Sequence, residues 1–476
     1  MSLLWTAEEL VAAMGGRPVG AMPDGITGIS IDSRTLQPGE AFFAIKGESM
    51  DGHDFATAAM AAGAGLLVVA EERLPALGRV STMIVVTDVL MALEQLGIAA
   101  RARSQAKIIA ITGSAGKTST KEMLRHALIG VGKVHASDKS FNNHWGVPLT
   151  LARMPADCDY AVFEIGMNHA GEIRPLTRMV RPHIAVVTLI AAAHLGHFRN
   201  LDEIAGAKGE IFEGVEPGGA ALINRDDPRA KKLLKLAEEA GVENRYGFGE
   251  HVRANYRLLD CTLFAEHSTI SAKIGGKEIT ARIGIPGRHV VQNALAVLGA
   301  AHLAGAPVPA VALALADMRA EPGRGQRHRL KHPKGPFTLI DESYNANPAS
   351  MAASLAMLKA TPVEEGGRRI AVLGDMLELG KHAPKLHAAL AELVRDSTAD
   401  KVLLAGPEMK ALAEVLPQEL EAEYRKSADE LRPLLLSAIR PGDAVMVKSS
   451  KGIGFSRLVE AVVKKFPSAA VASKPS

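Results

Sequence analysis

Short, nearly unbroken apolar runs alternate along the chain with stretches in which apolar residues recur every three or four positions. The first pattern predicts strands buried on both faces, and the second predicts amphipathic helices laid over them. Residues 1–102 hold two such runs, LLVVA and MIVVT, after an Ala-rich helical segment. Residues 103–326 hold KIIAIT, YAVFEIG, HIAVVTLI and AALIN, and residues 327–476 hold FTLID, RIAVLGD, KVLLAG and AVMVKSS. The alternation predicts an α/β protein of three domains: a small amino-terminal α/β domain, a central domain on a mostly parallel sheet, and a carboxyl-terminal Rossmann-like domain. Ligands are expected at the carboxyl ends of the strands. Thr6 and Glu9 form a capping box ahead of a helix that stops near Gly15, and Asn347-Pro348 supplies an N-cap and a first-turn proline. The tail, 469–476, reads as frayed.

At 476 residues the chain is long enough for about three domains. Hydrophobic residues at 47% and charged residues at 22% are ordinary globular usage, which removes the disordered and fibrous classes. A formal net charge of +3 without a Lys/Arg block leaves no electrostatic footprint for nucleic acid or an anionic membrane. No apolar run approaches the ~20 residues of a membrane-spanning helix, and the amino terminus lacks the basic start of a signal peptide, so neither insertion nor export is expected. The two cysteines, Cys158 and Cys261, are too few for a disulfide framework and fit a reducing cytosol.

Candidate chemistry starts where KIIAIT ends. The loop Gly113-Ser114-Ala115-Gly116-Lys117-Thr118-Ser119 leads into a helix with apolar positions Met123, Leu124, Ala127, Leu128 and Val131. Glycines let successive N–H groups curl round one anion and the helix N-terminus adds its positive end. Lys117 supplies a mobile charge, and the Thr118 hydroxyl suits a divalent cation. The expected occupant is ATP with Mg²⁺. The loop is shorter than the usual G-x-x-x-x-G-K-[ST], because Ile111 stands in the place of the first glycine.

Glu164, His194 and Asn224 stand at or just beyond strand ends, and Asn142, Asn143, Asn168 and His169 lie in polar loops. Ligand contacts and Asx turns both suit the asparagines. In LDEIAGAKGEIFEGV, Leu201, Ile204, Ile211, Phe212 and Val215 form one helical stripe with Lys208 in its middle, while Glu203 and Glu210 mark the solvent face. An inward lysine has to snorkel, pair, shift its pKa or be modified. Arg324, between two glycines, has the reach for a phosphate across a domain boundary. Ser33, Arg34, Lys46 and the Asp51 to His53 loop gather at strand ends of the first domain, where a phosphate or sugar would fit, as would solvated turns. Gly374-Asp375 and the segment from Lys448 to Gly452 occupy the same kind of edge in the last domain.

Taken together, IDSRTLQPGEAFFAIKGESMDGHDF, GSAGKTSTKEM, FNNHWGVPLTL, FEIGMNHAGEI, AKGEIFEG, IDESYNANPASM and VLGDMLELG resemble the Mur ligase family over residues 28–465, in particular its D-alanyl-D-alanine-adding branch. The resemblance implies an ATP-dependent amide ligase that joins D-alanyl-D-alanine to UDP-N-acetylmuramoyl-tripeptide through an acyl phosphate, in cytoplasmic peptidoglycan precursor synthesis. It also implies a UDP-substrate-binding domain over 1–102, a central ATP-binding domain over 103–326, a ligase domain over 327–476, and a monomer. Lys117, Glu164, His194 and Lys208 would be catalytic, with Lys117 on the ATP phosphates. Thr118, Glu164, His194 and Lys208 would hold metal, Lys208 as a carbamate. Asn293, Arg324, Asp341, Tyr344 and Asn345 would join the 113–119 loop around the nucleotide. Ser33, Arg34, Lys46, Asp51, His53, Asn142 and Asn143 would serve the UDP substrate. His197 competes with His194 for the metal role, Glu342 stands where an aspartate is usual, and Val290 where an asparagine is common. A sister ligase adding diaminopimelate or lysine is the alternative, although no D-N-P-R stretch of the diaminopimelate-adding kind is present. A phosphate-loop ATPase switch is the reading from another class.

Overall fold

A computed structural model describes residues 3–77, 82–138 and 140–469, and the rest of the tail expected to fray lies outside them. The central sheet has nine strands, in the spatial order Lys277–Ile283, Ser268–Ile274, Tyr256–Leu263, Asn244–Gly249, Ala220–Asn224, Ile184–Val187, Lys107–Thr112, Tyr160–Glu164 and Val134–Ala136. Pairing is parallel from Tyr256–Leu263 to Val134–Ala136 and antiparallel at the first two junctions. One strand shows why its run is unbroken. Ile109 and Ile111 enter a core with Leu124 and Leu128 of helix Lys117–Ile129 and Leu295 of helix Arg288–Leu303. Ile108 and Ala110 enter the opposite core with Ile173, Ile204 and Ile211. Successive side chains point to opposite faces, and both faces are covered.

The amino-terminal sheet orders Arg17–Gly20, Thr82–Val86, Leu66–Ala70, Ala41–Phe43 and Ile29–Ser30, all parallel except the first pair. The carboxyl-terminal sheet orders Gln326–His332, Gly335–Glu342, Ala444–Lys448, Arg369–Gly374, Lys401–Ala405 and Glu421–Arg425, again with only the first pair antiparallel. The α/β reading with three domains holds.

Both local signals are realised. Thr6 and Glu9 cap helix Ala7–Met14, which ends on Gly15 at φ 63, and Asn347 accepts from Ser350 N at 2.9 Å to start helix Pro348–Ala360. One expectation is corrected. Helix Leu201–Gly209 passes into a 3₁₀ turn, Glu210–Gly214, which swings Glu210 from the expected solvent face to a buried position accepting from Gly171 N at 2.7 Å and Arg174 N at 3.2 Å. Among the described residues no helix is long and apolar enough to cross a membrane.

Candidate active site

The carboxyl ends of the central and last sheets face each other across a cavity of about 560 Å³. On the central side, strand Lys107–Thr112 runs into the phosphate-type loop. Gly113 takes φ 152, and a Cβ there would lie 1.9 Å from Thr188 Oγ1; Gly116 takes φ 85, with Asn293 Oδ1 2.6 Å from its virtual Cβ. Thr188 braces the loop by donating to Ala115 O at 2.6 Å, and Ser114 N donates to Leu189 O at 2.6 Å. The glycines are therefore required by backbone shape and by close neighbours alike.

Lys117 donates to Gly113 O at 2.7 Å, folded over the loop. Thr118 Oγ1 donates to Glu164 Oε2 at 2.8 Å, Asn142 Nδ2 donates to Glu164 Oε1 at 2.7 Å, and Arg324 Nη2 approaches Thr118 Oγ1 at 3.1 Å. The guanidinium of Arg324 lies 4.1 Å from the Tyr344 ring centre, and Tyr344 OH is 2.9 Å from Ser140 Oγ. From the last domain, Lys448 donates to Glu342 Oε2 at 3.2 Å and Asn345 O at 3.1 Å, and Asn347 Nδ2 donates to Ser114 O at 3.3 Å.

The cavity brings together Ser114, Ala115, Gly116, Lys117, Thr118, Ser119, Asn142, Glu164, His194, Asn293, Arg324, Tyr344 and Asn345. His194 and His197 part company: the first lines this cavity, and the second lies tilted against His169, with ring centres 4.4 Å apart, beside another groove. Lys208 is not among the lining residues and is 1% exposed, with no hydrogen-bond or ion-pair partner among the described residues. Burial drives its ammonium well below the ordinary lysine range, the Lys117 charge pushes the same way, and Glu164 opposes both. Burial also lowers the Lys117 ammonium.

Other predicted residues sit elsewhere. Asp341 accepts from Gly323 N at 2.9 Å and Ser343 Oγ at 2.6 Å, and so fastens the interdomain linker; Asn143 accepts from Gly146 N at 3.0 Å. In the first domain, Ser33, Arg34 and Lys46 are half-buried or exposed, with Arg34 held by Asp32 at 2.7 Å. His53 is enclosed, its Nδ1 2.6 Å from Asp51 Oδ1 and its Nε2 accepting from Ala70 N at 2.9 Å, so both ring nitrogens are spent inside the fold. Sequence reasoning missed Thr188, His289, Gln292 and Glu378 on the cavity wall. Glu378 was present in VLGDMLELG as part of a motif, without a local pattern to mark it as a site residue.

Three family models match the chain: the Mur ligase middle domain over residues 111–301, the Mur ligase glutamate ligase domain over 323–451, and the Mur ligase family catalytic domain over 25–89. The UDP-N-acetylmuramoyl-tripeptide--D-alanyl-D-alanine ligase of Escherichia coli (strain K12) is 33% identical over 466 residues, covering 96% of this chain and 98% of that one. The chain belongs to the Mur ligase family. The Bacillus subtilis (strain 168) ligase of the same name is 32% identical over 92% of this chain and 93% of its own. A crystal structure of MurF from Acinetobacter baumannii matches this Mur ligase with a TM-score of 0.84 at 29% identity, covering 97% of this chain and 99% of that one.

Proposed function

We propose that this Mur ligase joins D-alanyl-D-alanine to UDP-N-acetylmuramoyl-tripeptide with cleavage of ATP to ADP and phosphate, as a cytoplasmic monomer making peptidoglycan precursors. The observation that carries the reading is one cavity where the phosphate-type loop, Glu164, His194 and Arg324 of the central domain face Tyr344, Asn345 and Lys448 of the last. Full-length likeness to ligases of that name supports the choice of substrates. Residues 1–102 would bind the UDP substrate, with Ser33, Arg34 and Lys46 the accessible members of its set and Asn142 at the cavity end. Residues 103–326 would bind ATP, and residues 327–476 would bring the incoming amine.

The terminal carboxylate of the tripeptide attacks the γ-phosphorus of ATP, the bond to the bridging oxygen breaks, and ADP leaves an acyl phosphate. The amine of D-alanyl-D-alanine then attacks the acyl carbon, loses a proton, and expels inorganic phosphate. A carboxylate alone is a poor acyl donor, so this activation is the step that needs ATP. Lys117 and Arg324 stabilise charge on the transferring group, and the docked last domain keeps water from the acyl phosphate.

The donor set fits Mg²⁺: Thr118 Oγ1 and Glu164 Oε2 already lie 2.8 Å apart as hard oxygen donors, with His194 on the same wall. Bound Mg²⁺ supplies neutralisation of phosphate charge. Lys208 fits a carbamate, since burial without a partner disfavours its charged form and so favours the amine that can attack CO₂, losing a proton as the C–N bond forms. The product would be an anion facing the Glu164 side of the site, where the metal would balance it.

The test is nucleotide and product analysis with ATP, Mg²⁺ and UDP-N-acetylmuramoyl-tripeptide. Turnover should require D-alanyl-D-alanine and yield a product heavier by one condensed dipeptide. Lys117→Ala should lower kcat by about a hundredfold or more. Turnover with a single amino acid in place of the dipeptide would move the protein to a sister ligase.

A further inference from the structure

Four non-glycine residues among those described have a left-handed backbone, and two of them meet: His194 at φ 58 in the central domain and Glu378 at φ 65 in the last. Such a backbone is disfavoured for residues with a side chain and persists where the surroundings over-determine it. Here the surroundings are an interlock between two loops. Gly196 N donates to Glu378 O at 2.8 Å, and Leu195 packs against apolar clusters of both domains. Gly196 and Gly380 touch so closely that a Cβ on Gly380 would lie 2.8 Å from Gly196 Cα.

Within this interlock His194 Nδ1 lies 2.6 Å from Glu378 Oε2, a close approach angled off the hydrogen-bond line. A carboxylate has no hydrogen to give and two bare lone pairs repel at so short a distance, so the contact calls for a hydrogen on Nδ1, which in a neutral ring leaves the lone pair on Nε2. Both side chains line the cavity with Lys117 and Glu164.

We propose that Glu378 is the positioning residue for His194, a carboxylate supplied by one domain that fixes the tautomer and orientation of an imidazole in the other. His194 is then ready for its role only while the last domain is docked, which ties assembly of the site to closure. Partners of this kind hold metal-binding histidines in register elsewhere, and losing one typically costs about 10–100-fold in affinity or activity. This rests on the reading of His194 as a metal ligand, and the experiment separates the two.

The full chain is labelled with ¹⁵N-histidine, and the His194 signal is assigned by its loss in His194→Gln. The parent protein, without nucleotide or metal, should show the Nδ1–H form; an Nε2–H form in the parent overturns the proposal whatever the variants do. Glu378→Ala should release the ring to the Nε2–H form and lower kcat about 10–100-fold with the KM for ATP little changed. Glu378→Gln, which keeps an acceptor oxygen, should restore the Nδ1–H form and part of the turnover. Persistence of the Nδ1–H form in Glu378→Ala, or turnover close to that of the parent, overturns the assignment. Near-normal turnover of His194→Gln would sink the ligand reading alone and leave the tautomer result standing.

Discussion

Lys208 is an amine buried where its charged form is costly. An unpaired charge in such a place is costly, and an apolar side chain of similar length removes that cost. Lys208→Met should therefore raise the melting temperature in CO₂-depleted buffer without nucleotide or Mg²⁺, and should abolish ligation. The pH dependence has a definite sign. The unfolded lysine titrates near 10.5, and the folded one well below it. Between those values the unfolded chain holds one more proton, so parental stability falls as pH falls, and the advantage of the Met variant grows until the folded pKa is passed. With bicarbonate and Mg²⁺ the parent should regain stability and the variant should not. An unchanged ranking of the two proteins under all these conditions would argue against a modified lysine. This residue was legible in the sequence because the helical stripe around it is local. Glu378 was not, since its partner lies on another domain and nothing near it in sequence encodes the pairing.

Among elements, the loop from Gly113 to Gly116 is the most constrained. A methyl group on Gly113 would meet Thr188 Oγ1 at 1.9 Å in a backbone region that side chains avoid, and Thr188 cannot retreat without losing its bonds to Ala115 O and Thr112 O. Strain of this kind costs about 1–3 kcal/mol. Gly113→Ala should lower the melting temperature and weaken ATP binding, read by thermal unfolding and nucleotide titration. Full ATP affinity in the variant would show that the loop adapts. The parallel strands of the central and last domains could be read directly, because burial on both faces makes their runs continuous. Strands Tyr256–Leu263, Ser268–Ile274 and Lys277–Ile283, which pair antiparallel in turn, could not, because one face is exposed and polar residues interrupt the runs. Glu210 was misplaced for a similar reason: a helical period carried past the 3₁₀ turn loses its phase.

Across the whole molecule, the central and last domains meet at the site through a short set of contacts: Asn347 to Ser114, Tyr344 to Ser140, Tyr344 to Arg324, and the interlock of 194–196 with 378–380. None of them is a large apolar surface, so the docked arrangement is one that a small steric change can shift. Gly196 and Gly380 are the place to make it. A Cβ on Gly196 would lie 3.1 Å from Gly380 N and 3.2 Å from Glu378 O, tight but without a left-handed backbone, whereas Gly380 stands at φ 54 and would be strained as well. Gly196→Ala should therefore loosen docking with little loss of thermal stability, and Gly380→Ala should do both. In nucleotide-free solution both variants should show a larger radius of gyration by small-angle scattering than the parent, and both should have lower kcat. An unchanged radius with unchanged kcat would mean that the glycine contact does not limit closure. A larger radius with unchanged kcat would mean that bound substrates supply enough interaction to close the domains without it.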